Sequence, residues 1–291
     1  MMQIAANALV TANTILLVAV GFALIFGIVR FFHFAHGIVF TAGAYLAFVF
    51  HSWAGLPLIA AVIMAVVGAA VIGCAIEIAV YRPLRRKAAS PLILLLASLG
   101  VYVVLQNLIS IVCGDDTKQL RSSEIPEAIN ILGARITWVQ SAMIAVTAVL
   151  VATLALLVRK TKLGQAMRAV ADDPQLASVS GIESDRVVVW TLAISSALAA
   201  VAGILVALDV DMTPTMGMNP LMLGVVAVIV GGVRGIPGIV LAALLLACAQ
   251  QATVWVFGSA WQDAVAFLVL LVFLLVRPQG VLGGGAQKAI G

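Results

Sequence analysis

Charge is what this chain has least of. Sixteen Lys or Arg and twelve Asp or Glu make up 10% of its 291 residues, where a soluble domain carries about 25%. With 64% hydrophobic residues and a mean hydropathy of +1.20, that shortage excludes a large water-soluble core. It implies an integral membrane protein with many spans. Cysteine is scarce as well. Cys74, Cys113 and Cys248 show no metal spacing, so neither a disulfide framework nor a metal site is expected. Cys74 and Cys248 lie in apolar runs and serve as small packing residues. No phosphate-binding loop of the G-x-x-x-x-G-K-[ST] kind occurs, so the chain cannot hydrolyse ATP by itself. No basic stripe interleaves with aromatics, so the net charge of +4 does not argue for nucleic acid. The run Ala8–Val29 has no charged lead and is longer than a signal-peptide core. It reads as the first span.

Nine hydrophobic segments are present, at roughly 8–29, 37–54, 57–80, 91–112, 138–158, 187–208, 219–233, 236–257 and 260–276. The seventh is too short to cross comfortably, since a span needs about 20 residues. It reads as a half-helix or re-entrant piece. Alternation through nine segments leaves only Lys118, Arg121 and Arg135 outside, with the other thirteen of the sixteen basic residues inside. This is the positive-inside asymmetry, and it places the N-terminus outside. Glu77 is the one acid inside the third segment. It is expected to pair with a cation of Arg82–Lys87. A proton-coupled carrier usually needs more ionisable groups at midplane.

The longest polar interval is Arg159–Arg186, RKTKLGQAMRAVADDPQLASVSGIESDR. Asp172 or Asp173 can cap a helix that begins at Pro174, where proline lacks only an N–H that would be orphaned anyway. The helix would run for about two turns to Ser180, and Gly181 would supply the left-handed stop. Leu176, Val179 and Ala177 would point outward. Either a partner protein grips this helix, or it lies on its own membrane domain.

Two stretches resist a regular helix. RFFHFAHG, followed by TAGAY, carries His33 and His36 beside glycine and aromatics. No third ligand accompanies the two histidines, so a metal is not expected. Their rings satisfy partners where the backbone is broken. GGVRGIPG holds Gly231, Gly232, Gly235, Pro237 and Gly238. Two breaks in opposite halves imply an inverted repeat around a central site. Close helix packing is the alternative, since small residues serve it equally well.

RAVADDPQLASVSGIESDRVVVWTLAISSALAAVAGIL resembles the coupling loop and following helix of the branched-chain amino acid ABC importer permeases. The match includes Arg168, Ala169, Asp172, Ala177, Gly181, Ile182, Asp185, Arg186 and the small-residue run Ala197–Gly203. Phe34-Ala35-His36-Gly37 and Gly43-Ala44-Tyr45 are similar to another family segment, although His33 stands where many members have asparagine. GGVRGIPG resembles the family's GG-x-G-x-x-PG, with Arg234 and Gly235 replacing the common Gly-Ser. LVRPQGVLGGG is similar to the closing segment. The similar stretches cover most of the chain from Ala12 to Gly283, and the loop Gly114–Arg135 matches least.

The resemblance implies an all-α polytopic membrane protein with eight to ten transmembrane segments, broken or half helices and an inverted repeat. It implies one permease domain over residues 1–291, with a coupling loop at 159–187. The implied function is that of the permease subunit of an importer for branched-chain amino acids or related small solutes. Arg168, Asp172, Asp173, Pro174, Leu176, Ala177, Gly181, Asp185 and Arg186 would couple to the ATPase. His33, Phe34, His36, Gly37, Gly232, Pro237 and Gly238 would line or gate the pathway. The implied partners are a second related permease, two ATP-binding subunits, a soluble solute-binding protein and membrane lipid. ATP, the one cofactor, would be bound by the partner subunits and not by this chain, and the place would be a bacterial inner membrane. An ion-coupled secondary carrier and a channel are the competing classes.

Overall fold

The computed structural model describes residues 2–121, 128–131, 133–233, 235–277 and 280–281. Arg234 and the chain beyond Val281, Lys288 included, lie outside the described residues, and so do the readings made on them. The elements follow in order. α1 (Met2–Val29) is followed by α2 (Ala35–Phe48), which a π-turn extends to Trp53. α3 (Leu58–Ile76) passes through a second π-turn, Glu77–Tyr81, into α4 (Arg82–Arg86). α5 (Pro91–Cys113) leads to a hairpin of β1 (Ala128–Ile131) and β2 (Ala134–Thr137). The remaining helices are α6 (Trp138–Lys160), α7 (Lys162–Asp172), α8 (Pro174–Val179), α9 (Ser184–Asp209), α10 (Met218–Gly231), α11 (Ile236–Phe257) and α12 (Gln262–Val276). Among the described residues, eight helical stretches are long and apolar enough to cross a membrane, and α10 is a shorter apolar one.

At 14 residues, α10 spans about 21 Å. It does not cross alone. α9 ends beside Arg121, whose Nη1 donates to the Asp209 carbonyl at 2.8 Å. The chain then pairs through Met212 with Lys118 and turns back into the protein as far as Gly217. A Cβ placed on Gly37 would stand 2.9 Å from the Gly217 carbonyl oxygen, so the starts of α2 and α10 meet backbone to backbone. α2 is built in the same way from the opposite end. Arg30 ends α1 with φ +55, and its N–H donates to the Phe26 carbonyl at 3.0 Å. Residues 31–34 then climb until His36 lies against Gly21. Both helices thus start against each other inside the bundle, and α10 is the half-length one.

The counterpart of the first break is therefore Val210–Gly217 and not Gly231–Gly238. The latter is a tight turn between α10 and α11. A Cβ on Gly231 would stand 2.5 Å from the Gly238 carbonyl oxygen. The glycine run breaks the helix between Gly231 and Ile236, as expected, and also packs closely across the break.

α9 occupies the centre. Gly43, Gly73 and Gly203 let α2 and α3 close on it, and a Cβ on Gly43 would lie 2.5 Å from Ala200 Cβ. With lipid as the solvent such small-residue contacts are a main source of helix association. At the periphery, Ile59, Ile63, Val67 and Val71 recur every fourth residue along α3 and are all exposed. A soluble protein would not leave such a stripe uncovered.

Charged side chains sort to the two ends. Arg30, Arg82, Arg85, Arg86 and Arg168 gather around α7, α8 and the start of α9. At the other end the Arg135 backbone pairs with the Gln3 side chain, and the Arg121 side chain lies 3.8 Å from Asp211. Glu77, fully buried, takes two hydrogen bonds from Arg85, one of them at 3.0 Å, as expected of a lone acid in that segment.

This sorting predicts that Lys87→Cys and Lys160→Cys label from one face of the membrane and Asp116→Cys from the other. The background would lack the three native cysteines, and the probe would be an impermeant thiol reagent. Labelling of residues 87 and 116 from the same face would overturn the nine-crossing topology.

Candidate functional site

The polar interval folds into two helices rather than one. α7 was not foreseen. It is amphipathic, burying Gly164, Met167 and Val170, and Thr161 caps it by accepting from Gly164 N–H at 3.0 Å. Arg168 donates to the Val158 carbonyl at the end of α6. At the far end of α7, Arg30 Nη2 donates to the carbonyls of Ala171 (2.8 Å) and Asp172 (3.4 Å). A cation is favoured at a helix C-terminus, where carbonyls lack intrahelical partners.

Asp173 and not Asp172 caps the short helix α8. Its Oδ1 accepts from Gln175 N–H (2.8 Å) and Leu176 N–H (3.0 Å). Such a cap contributes about 1 kcal/mol. Pro174 takes the first helical position. At the other end Ile182 N–H reaches the Ala177 carbonyl at 3.0 Å and Gly181 N–H reaches that of Ser178 at 3.0 Å. This is the Schellman arrangement, which needs a left-handed residue. Gly181 supplies it with φ +84.

Leu176 is 64% exposed and Val179 87%. Ala177 departs from expectation. It is buried, because it is the face by which α8 rests on the protein. A six-residue helix cannot hold itself together by propensity. Caps at both ends and the Ala177 contact fix it, and its two large apolar side chains remain uncovered.

The interval closes in a knot of charge. Asp185, in the first turn of α9, receives Arg82 Nε at 2.7 Å and Arg86 Nη2 at 3.1 Å, with Arg85 Nη2 at 3.8 Å. Arg186 instead pairs with Glu183 at 2.7 Å. Both ends of the loop are thus held, one by Arg30 and the other by α4.

The first break is satisfied by residues that sequence reading did not single out. Ser98 of α5 is fully buried. Its Oγ accepts from Phe34 N–H at 3.1 Å and stands 3.2 Å from the Phe32 carbonyl and 2.7 Å from that of Leu95. Ser195 Oγ donates to the Gly21 carbonyl at 2.7 Å and lies 3.3 Å from His36 Nδ1. Tyr81 Oη is 3.0 Å from His33 Nδ1. His33 and His36 are each 1% exposed, so these rings fill the break from within. The signal for Ser98 and Ser195 was a hydroxyl inside an apolar run, where an unpaired polar group is costly.

Gly232, Pro237 and Gly238 sit at the opposite turn. Gly232 ends α10 with φ +88, and Pro237 opens α11. Beside that turn lies a cavity of about 590 Å³, lined by Phe26, Arg30, Leu154, Arg168, Val233 and Ile239 among others.

Comparison with known proteins bears on the whole chain. Residues 4–274 match the family described as the branched-chain amino acid transport system, permease component. The chain is similar to the high-affinity branched-chain amino acid transport system permease protein BraD of Pseudomonas aeruginosa. The two are 32% identical over 292 residues, which is 95% of this chain and 94% of that protein. It is also similar to the corresponding permease protein LivH of Escherichia coli, 32% identical over 295 residues with the same coverage. A solved structure of PsaBC from Streptococcus pneumoniae in complex with Fab shares the fold. Its TM-score is 0.53 at 12% identity, over 94% of this chain and 91% of that one.

Loss of the cap should open α8 without melting the bundle. Asp173→Ala is expected to speed amide hydrogen exchange across residues 175–182 about fivefold, the equivalent of about 1 kcal/mol, with the melting temperature unchanged. Exchange equal to the parent's would show that Asp173 does not hold the helix.

Proposed function

The chain belongs to the family of permease components of branched-chain amino acid transport systems, and from that premise we propose a full account of its role. It is the membrane-spanning subunit of an ABC importer that carries branched-chain amino acids or related small, mostly apolar solutes. It works beside a second related permease, two ATP-binding subunits and a solute-binding protein outside. All of these sit at a bacterial inner membrane. ATP is bound and split by the partner subunits, and this chain converts their closure into movement.

The observation that carries the coupling role is α8. It is capped at both ends, projects from the basic end of the protein, and leaves Leu176 and Val179 uncovered. A rigid helix with two apolar side chains is the shape that fits a groove on a partner. Closure of the ATPases would push on it. The clamps at Arg30 and Asp185 would pass that push to α1, α4 and α9. The pathway between the two permeases would then open to each side in turn.

Arg168, Asp172, Asp173, Pro174, Leu176, Ala177, Gly181, Asp185 and Arg186 divide into distinct tasks in this account. Leu176 contacts the partner. Asp173, Pro174, Ala177 and Gly181 shape the helix. Arg168, Asp172, Asp185 and Arg186 anchor its loop. His33, Phe34, His36 and Gly37 act as a gate hinge, consistent with the burial of His33, His36 and Gly37. Gly232, Pro237 and Gly238 hold the turn beside the cytoplasmic cavity.

Leu176→Asp tests the coupling role. It forces a charge into an apolar groove at a cost of a few kcal/mol. The variant is expected to insert normally and to lose substrate-stimulated ATP hydrolysis in reconstituted complexes. Stimulation equal to that of the parent would refute the docking assignment.

A further inference from the structure

We infer that the π-turn Glu77–Tyr81 relays movement of the coupling loop to the break before α2, with Tyr81 as the positioning residue at the end that leads into α4. This rests on the reading that α8 docks an ATPase.

The turn has a local cause. Pro83 has no N–H and its ring would press on the carbonyl four residues earlier, that of Ala79. The helix widens just before it, and Arg82 N–H closes a five-residue ring on the Glu77 carbonyl. Single π-turns inside helices recur at functional sites. One reason is mechanical. Such a turn can shift by one residue along a helix, exchanging one wide ring for another and re-aiming the side chain that it passes by about 100°. A shift of this kind would give two discrete arrangements, which is what coupling between distant sites requires.

Each end of this turn holds a different machine. Glu77 and Tyr81 are both fully buried. Glu77 is bound by Arg85, and Arg85 reaches Asp185 at 3.8 Å, where the coupling loop enters α9. Tyr81 reaches His33 at 3.0 Å through its hydroxyl, and its ring packs edge-on against Phe31, with centroids 5.1 Å apart. The His33 carbonyl in turn accepts the His36 N–H in the first turn of α2. Arg30, three residues before His33, grips the other end of the coupling loop at Ala171. The loop's two anchors therefore converge on residues 30–33, one directly and one through the π-turn.

Tyr81→Phe keeps the ring and removes only the hydroxyl. The test uses the complete complex in proteoliposomes, with permease pair, ATPases and binding protein, and leucine as the solute. The readouts are solute imported per ATP hydrolysed, co-purification of the ATPase and the melting temperature. The expected result is a fall in solute per ATP of about tenfold, within the span of site-to-site couplings. Co-purification and melting should stay as in the parent. His33→Asn retains an acceptor near the same place and should keep the parent's ratio, whereas His33→Leu should lose it. An unchanged ratio in Tyr81→Phe overturns the relay. So does a ratio that falls only together with the melting temperature in Tyr81→Phe and His33→Leu, which would assign the cluster to packing. A parent chain that captures no ATPase overturns the docking reading, and the relay with it, whereas capture with an unchanged ratio overturns the relay alone.

Discussion

A polypeptide that starts a helix in the middle of a membrane must find partners for backbone groups that neither lipid nor the helix itself can satisfy. This chain does so twice, at the starts of α2 and α10. The two starts solve the problem together. Gly37 and Gly217 bring the backbones within contact distance, which a side chain at either position would prevent. Ser98 then accepts the Phe34 N–H, and Ser195 stands against the His36 ring. Everything central in the fold serves this junction. α1, α5 and α9 surround it, and small residues on α2 and α3 let α9 come close enough to cover it. The price is a core that tolerates no bulk at a handful of glycines.

The loop at 159–187 shows the complementary problem outside the apolar spans. Its helix is too short to be stable alone, so the sequence fixes both ends and ties down the flanks. Asp173, Gly181 and Ala177 give α8 its shape. Arg30 and the Asp185 cluster give it a fixed place. Surface ion pairs contribute little each, and Asp185 sits at partial exposure with three arginines around it. Glu77 is different. It is fully buried, and removal of a partner from such a pair typically costs about 3–5 kcal/mol. The rigid part of the linkage therefore runs through Glu77 and Tyr81 toward the junction.

Much of this was legible before the structure. Low charge and nine apolar runs gave the membrane class, and the lysine and arginine asymmetry gave the two ends. The cap, proline and glycine of residues 173–181 marked α8 because each does one job that few other residues do. The shortness of residues 219–233 flagged a half-helix. Other features were hidden for physical reasons. Val210–Gly217 has no glycine run to announce a break, and the pairing of Met212 with Lys118 joins residues far apart in the chain. Gly231–Gly238 announced a break and holds one, since α10 ends at Gly231 and α11 begins at Ile236, but Gly231 packs directly on Gly238 across it. α7 escaped notice because its apolar stripe is short and interrupted by lysine and glycine. Ser98 and Ser195 have meaning only through what stands opposite them, and a linear sequence does not show that.

The central claim is that this chain moves solute only as its partners split ATP. The direct measurement is accumulation of labelled leucine in proteoliposomes holding the complete complex. ATP and the solute-binding protein would be supplied or withheld in turn. The account predicts accumulation only when both are present, and none when a proton or sodium gradient is imposed in place of ATP. Accumulation driven by such a gradient, or by this chain without the ATPases, would contradict it.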